Sequence, residues 1–133
     1  MSMTEEERKI LVDQQLSKAH RFLTQADEVY ALGYWDMAAN RYYYACFHAV
    51  QGLFIHKGIS AHKHAGVVSQ FSLHFVKPEL VGKTYGSFLA RMMQLRQKAD
   101  YNCAYDITEK DVHEIVNLSR DFICKVESLI TGN

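Results

Sequence analysis

The chain has 133 residues, 48% of them hydrophobic and 23% charged, with a single proline. Fifteen basic residues meet fifteen acidic ones, so the formal net charge is zero. That balance argues against a protein whose main task is gripping duplex nucleic acid by its phosphates, though it leaves room for a local basic patch, and the length fits one domain, 1–133, with no low-complexity stretch.

The first ten residues, MSMTEEERKI, contain no apolar leader. No apolar run approaches the roughly 20 residues that span a bilayer, so the chain reads as cytoplasmic with no membrane contact. Cys46, Cys103 and Cys124 are odd in number and widely spaced. They suggest neither a disulfide framework nor a metal knuckle.

Thr4 and Glu7 have the spacing of a capping box, with three glutamates in the first turn where the helix dipole favours them. Val12, Leu16, Ala19, Leu23, Ala26 and Tyr30 then recur at steps of three and four, which predicts a first helix to about Leu32, closed by Gly33. A second helix over residues 35–57 follows a very short turn and must run antiparallel, with Gly58 as its stop. Its stretch NRYYYACFHAVQGLF (40–54) is apolar around most of its circumference, as befits the central helix of a bundle. GISAHKH (58–64) reads as a loop. A short third helix over 63–75 presents Val67, Val68, Phe71 and Phe75 on one side. Pro78 and Glu79 suit the first turn of a fourth helix, whose stripe is Tyr85, Phe88, Leu89, Met92, Leu95 and Ala99. Thr108 and Asp111 repeat the start signal for a fifth, carrying Val112, Val116, Ser119, Ile123, Val126 and Ile130. The expected fold is all-α: an up-and-down four-helix bundle with one additional short helix.

Arg96 falls inside the fourth helix's apolar stripe, between the directions of Met92 and Leu89, and Asp100 lies one turn further on the same face. A guanidinium aimed at a core is costly unless paired. The pair is either an ordinary i,i+4 contact or an oriented cation for a phosphate. On the central helix Arg41, Tyr44 and His48 share a face that a bundle can set against Arg96 and Asp100. Together they would line one groove fit for a nucleotide or a scissile phosphate; the alternative is a polar network that only fixes helix register. Ala45 and Gly52 on that face suit close approach of another helix, as in a dimer seam. His56, His62 and His64 cluster with Lys57 and Lys63 around the loop. They lack metal-ligand spacing and read as a modest positive patch. Gly82, Lys83 and Thr84 imitate the tail of a phosphate loop, but no strand precedes them. No cofactor or metal is called for.

Four blocks occur in order: GYWDMAANRYYYA (33–45), HKHAGVVSQF (62–71), FVKPEL (75–80) and RQKADYN (96–102). In combination they resemble the HEPN superfamily, in particular its small stand-alone prokaryotic members. That resemblance implies a helical bundle that forms homodimers. It also implies a minimal nucleotidyltransferase as partner in a toxin–antitoxin pair, and in many members metal-independent ribonuclease activity. The nuclease branch follows an arginine with a histidine within about two turns of helix. Arg96 occupies the arginine position, yet residues 97–103 contain no histidine and Asn102 stands in its place. Arg41 and His48 have similar spacing but lie on the central helix.

The leading expectation is therefore a HEPN domain without the full nuclease motif. It binds a nucleotide, RNA or a nucleotidyltransferase partner through a groove between the second and fourth helices. Arg96 contacts phosphate, Asp100 orients it, and Arg41, Tyr44 and His48 complete the wall, with any catalytic role falling to Arg96, Asp100 and His48. Asn40, Lys63, His64 and Tyr101 are further binding candidates, Lys63, His64 and Tyr101 as its outer members. The alternatives are an active ribonuclease toxin and a dimerising scaffold.

Overall fold

The computed structural model describes residues 2–61, 63–104 and 106–132. Five α-helices follow one another: α1 (Glu5–Ala31), α2 (Trp35–Lys57), α3 (His64–Phe71), α4 (Lys83–Tyr101) and α5 (Glu109–Thr131). No strand occurs among the described residues. Both capping boxes form. The Thr4 hydroxyl accepts from the Glu7 amide at 3.0 Å while the Glu7 carboxylate accepts from the Thr4 amide at 3.1 Å, and Thr108 and Asp111 repeat the exchange at 3.3 and 3.0 Å. Gly33 and Gly58 close α1 and α2 with φ of 83° and 73°, a left-handed turn that side chains resist.

Cross-links show how the long helices lie. His20, Asp27 and Tyr30 descend α1 as their partners Glu127, Arg120 and His113 ascend α5, so the two are antiparallel. Tyr42, fully buried on α2, donates to the same Asp27 at 2.5 Å, so one carboxylate ties three helices. Asn40 opposite Asp100, and Tyr43 one turn on against Arg96, set α2 against α4 in the same antiparallel sense. The core follows α2: Tyr42, Tyr43, Val50, Leu53 and Phe54 pack with Phe71 and Phe75, with Leu89 and Met92 of α4, and with Ile115, Phe122 and Ile123 of α5. The four long helices and short α3 thus form the expected all-α bundle.

Three local expectations need correction. The third helix does not run regularly to Phe75: after Phe71 it widens into a π-turn, Ser72–Val76, closed by the Lys77 amide donating to the Ser72 carbonyl at 2.8 Å. Pro78 does not open the fourth helix. It follows that turn, Glu79 takes a φ of 64°, and the amides of Leu80 and Val81 both donate back to the Phe75 carbonyl. The reversal satisfies the ending helix, and α4 begins only after Gly82. The third correction concerns the small residues of α2. A Cβ at Gly52 would stand 3.4 Å from both Gln15 and Leu16 of α1, and Ala45 is fully buried. Their smallness serves packing within this chain and leaves them unavailable to a dimer seam.

Candidate functional site

Arg96 is the one buried charge among the described residues, 6% exposed. Its Nε donates to Asp100 Oδ2 at 3.2 Å and its Nη2 to the Tyr101 hydroxyl at 3.3 Å. The guanidinium carbon lies 5.7 Å from the ring centres of both Tyr43 and Tyr44 and 5.3 Å from that of Tyr101. Three aromatic faces thus surround one cation, an attraction that strengthens as water is removed. Burial alone would lower the guanidinium's pKa, but Tyr44, Tyr101 and Asp100 outweigh it and the net shift is upward. The side chain therefore remains a cation. Asp100 is fixed from the other side by the Asn40 amide, whose nitrogen lies 3.2 Å from each carboxylate oxygen.

His64, the first residue of α3, completes this cluster. Its Nδ1 is 2.5 Å from the Tyr43 hydroxyl, and its ring packs on Tyr43, Tyr44 and Phe47 with centroids 5.5, 5.9 and 4.9 Å away. Burial, and then the charge of Arg96, push the imidazole below its usual pKa, which keeps it neutral near pH 7. Burial pushes the Tyr43 hydroxyl upward, so it keeps its proton. Lys63 stands exposed as the N-cap of α3 and His56 is exposed at the end of α2. His62 lies outside the described residues. No group of three or more His, Cys, Asp or Glu among the described residues is arranged to hold a metal.

Arg41 and His48 do not join Arg96. The Arg41 guanidinium lies 4.8 Å over the ring of Phe22 on α1, Lys18 approaches the same ring at 5.6 Å, and His48 meets it edge-on at 5.3 Å. His48 Nδ1 is 2.9 Å from Gln15 Oε1. Burial, helped by the charges of Lys18 and Arg21, brings its pKa down to about 4. The single groove expected from the sequence is thus two clusters divided at Tyr44. The reason is angular. At about 100° per residue, Asn40, Tyr43 and Phe47 occupy one arc of α2, Arg41 and His48 another, and Tyr44 the boundary between them. With α4 and α3 on one flank and α1 on the other, a step of one residue turns a side chain towards a different neighbour, and among the described residues only the Tyr44 and Phe47 rings touch both His48 and His64.

Tyr43 was not among the candidates: it lies in the apolar 40–54 stretch, and the structure buries its ring in the core while its hydroxyl reaches His64. A buried phenol needs a partner for its hydroxyl, and that requirement was the available signal for His64 or a residue like it.

Residues 12–129 match the model of the HEPN domain. The chain belongs to the HEPN domain family. The match reaches from Val12 in α1 to Leu129 in α5, so the whole Arg96 cluster lies within the HEPN region. A UPF0332 protein of Thermotoga maritima is 38% identical over 93 residues, 70% of each chain. A protein of Methanocaldococcus jannaschii named as a candidate toxin is 27% identical over 119 residues, covering 89% of this chain and 81% of its own. The crystal structure of TT1696 from Thermus thermophilus superimposes with a TM-score of 0.77 over 89% of this chain and 97% of that one. At 18% identity it shows the fold alone. None of the helices is long and apolar enough to cross a membrane among the described residues.

Proposed function

We propose that this HEPN domain, working as a single unit of 133 residues, binds the phosphate of a nucleotide or an RNA strand at Arg96. The observation that carries the reading is a guanidinium kept charged while almost wholly buried, with its Nε end held by Asp100 and three tyrosine rings around it. Such a cation is oriented before any ligand arrives, and a planar fork matches phosphate geometry. Tyr101, 72% exposed beside it, offers a face for a base. Asn40 and Asp100 hold the fork, Tyr44 forms the back of the site, and Lys63 adds charge at the rim; Arg41 and His48 flank it beyond Tyr44. The relatives named as candidate toxins support a toxin–antitoxin setting, with a homodimer of this chain and a nucleotidyltransferase as its partner.

The test is a titration with a fluorescein-labelled single-stranded RNA oligonucleotide and, separately, with AMP. The Arg96→Ala protein, checked for fold by circular dichroism, should bind at least about tenfold more weakly, the equivalent of about 1.4 kcal/mol. Equal binding by parent and variant would contradict the reading.

A further inference from the structure

We propose that the cleft between the first half of α1 and the second half of α2 captures the C-terminal end of a partner polypeptide, about three extended residues finishing in a carboxylate. The cleft has a volume of about 590 Å³. Neither Arg96 nor the residues bonded to it line this cleft, so the inference stands apart from the reading of Arg96. Along the seam of the two helices, Gln15 meets His48 at one end and Arg8 meets Ile55 at the other. From His48 to Ile55 the seam covers roughly 10 Å at about 1.5 Å per helical residue, the reach of about three residues of extended chain.

The polar side chains here each have one bond made and one left to make. His48 donates from Nδ1 to Gln15 Oε1 at 2.9 Å. That leaves the Gln15 amide hydrogens and the His48 Nε2 lone pair unused among the described residues. The imidazole is neutral near pH 7, because burial, with Lys18 and Arg21, lowers its pKa to about 4. Gln51 donates from Nε2 to the Ala61 carbonyl at 3.1 Å, so its Oε1 is an open acceptor. All three side chains are half-buried, where an unmade hydrogen bond costs more than at the open surface. One donor and two acceptors answer the C=O and N–H groups along one edge of an extended chain. Phe47, Ile55 and Ile59 supply apolar contact for its side chains.

Charge decides which part of a chain fits. Arg8 lines the cleft with one nitrogen donating to the Ile55 carbonyl, and it pairs with no carboxylate among the described residues. No acidic residue lines the cleft among the described residues. An internal peptide segment would leave the guanidinium without a counter-charge, whereas a terminal carboxylate supplies one and accepts its remaining N–H donors. A small aromatic acid would answer Arg8 and Phe47 but leave the carboxamides of Gln15 and Gln51 unused.

The experiment follows fluorescence polarisation of the peptide Ala-Leu-Ala-Leu, labelled with fluorescein at its N-terminus, as the full chain is added. A second copy of the peptide ends in a carboxamide. The acid should bind at least about tenfold more tightly than the carboxamide. Arg8→Gln, checked for fold by circular dichroism, should bind the acid as weakly as the parent binds the carboxamide. Gln51→Leu should weaken both peptides alike, by about threefold to tenfold, and serves as the second variant if Arg8→Gln fails to fold. No binding of the acid with the chain at up to about 1 mM, equal binding of the two peptides by the parent, or binding undiminished in either variant overturns the assignment. Benzoate that displaces the labelled acid as well as the unlabelled peptide does would assign the cleft to a small acid instead, and overturns it too.

Discussion

Two cation–aromatic clusters sit on opposite flanks of α2, and they are built on different terms. On the α4 flank, Arg96 is buried, paired with Asp100 and surrounded by Tyr43, Tyr44 and Tyr101. On the α1 flank, Arg41 and Lys18 rest half-buried on Phe22, and neither pairs with a carboxylate among the described residues. The histidines differ in parallel: His64 is lowered by burial and by one arginine, His48 by burial, Lys18 and Arg21. The contrast separates two ways of keeping a positive charge near a protein surface. A cation left partly in water costs little and orients little, whereas one taken out of water must be held by a fixed carboxylate and is thereby aimed.

The sharpest way to break this comparison is to remove the carboxylate. Asp100→Ala leaves the Arg96 side chain, only 8% exposed, without its counter-charge, and should cost about 1–3 kcal/mol in chemical denaturation. Adding Arg96→Leu to Asp100→Ala should recover most of that loss, since an apolar side chain of similar volume needs no partner. If Asp100→Ala is neutral, the pair is a surface contact and the site has no buried charge. A smaller effect comes from the other flank. The pKa of His48 is lowered from 6.5 to about 4, so the folded state takes up its proton later than the unfolded chain does. Its contribution to stability is intact above pH 6.5, declines as pH falls towards 4, and changes no further below that. Denaturation at pH 7.5 and 4.5 should show His48→Phe losing about 1–2 kcal/mol less than the parent, after allowance for solvent screening. An identical pH response in the two proteins would mean that the imidazole titrates normally.

Much of this architecture was legible in the residues. Capping boxes at Thr4 and Thr108, the stops at Gly33 and Gly58, and the apolar circumference of α2 are local signals, and each gave an element where it stands. The turn after Val76 was not, because a proline that suits a helix start also suits the reversal after a helix end, and the choice depended on the Phe75 carbonyl accepting two amides. Arg96 and Asp100 were legible as a pair because both lie on one helix. Their partners were only half so. Asn40, Tyr44 and Tyr101 could be named as candidates, but which of Arg41, Tyr43, His48 and His64 reached them depended on how α1 and α3 dock. A single residue's offset on α2 turns a side chain by about 100°, and so decides which flank it serves.

The most direct measurement follows the side-chain Nε–H signals of the arginines by 15N NMR while AMP is added. The account predicts that the Arg96 signal moves with saturation while that of Arg41, resting on Phe22, stays within the scatter of the exposed arginines. An Arg96 signal that stays still while AMP binds, or equal movement at Arg41, would contradict it.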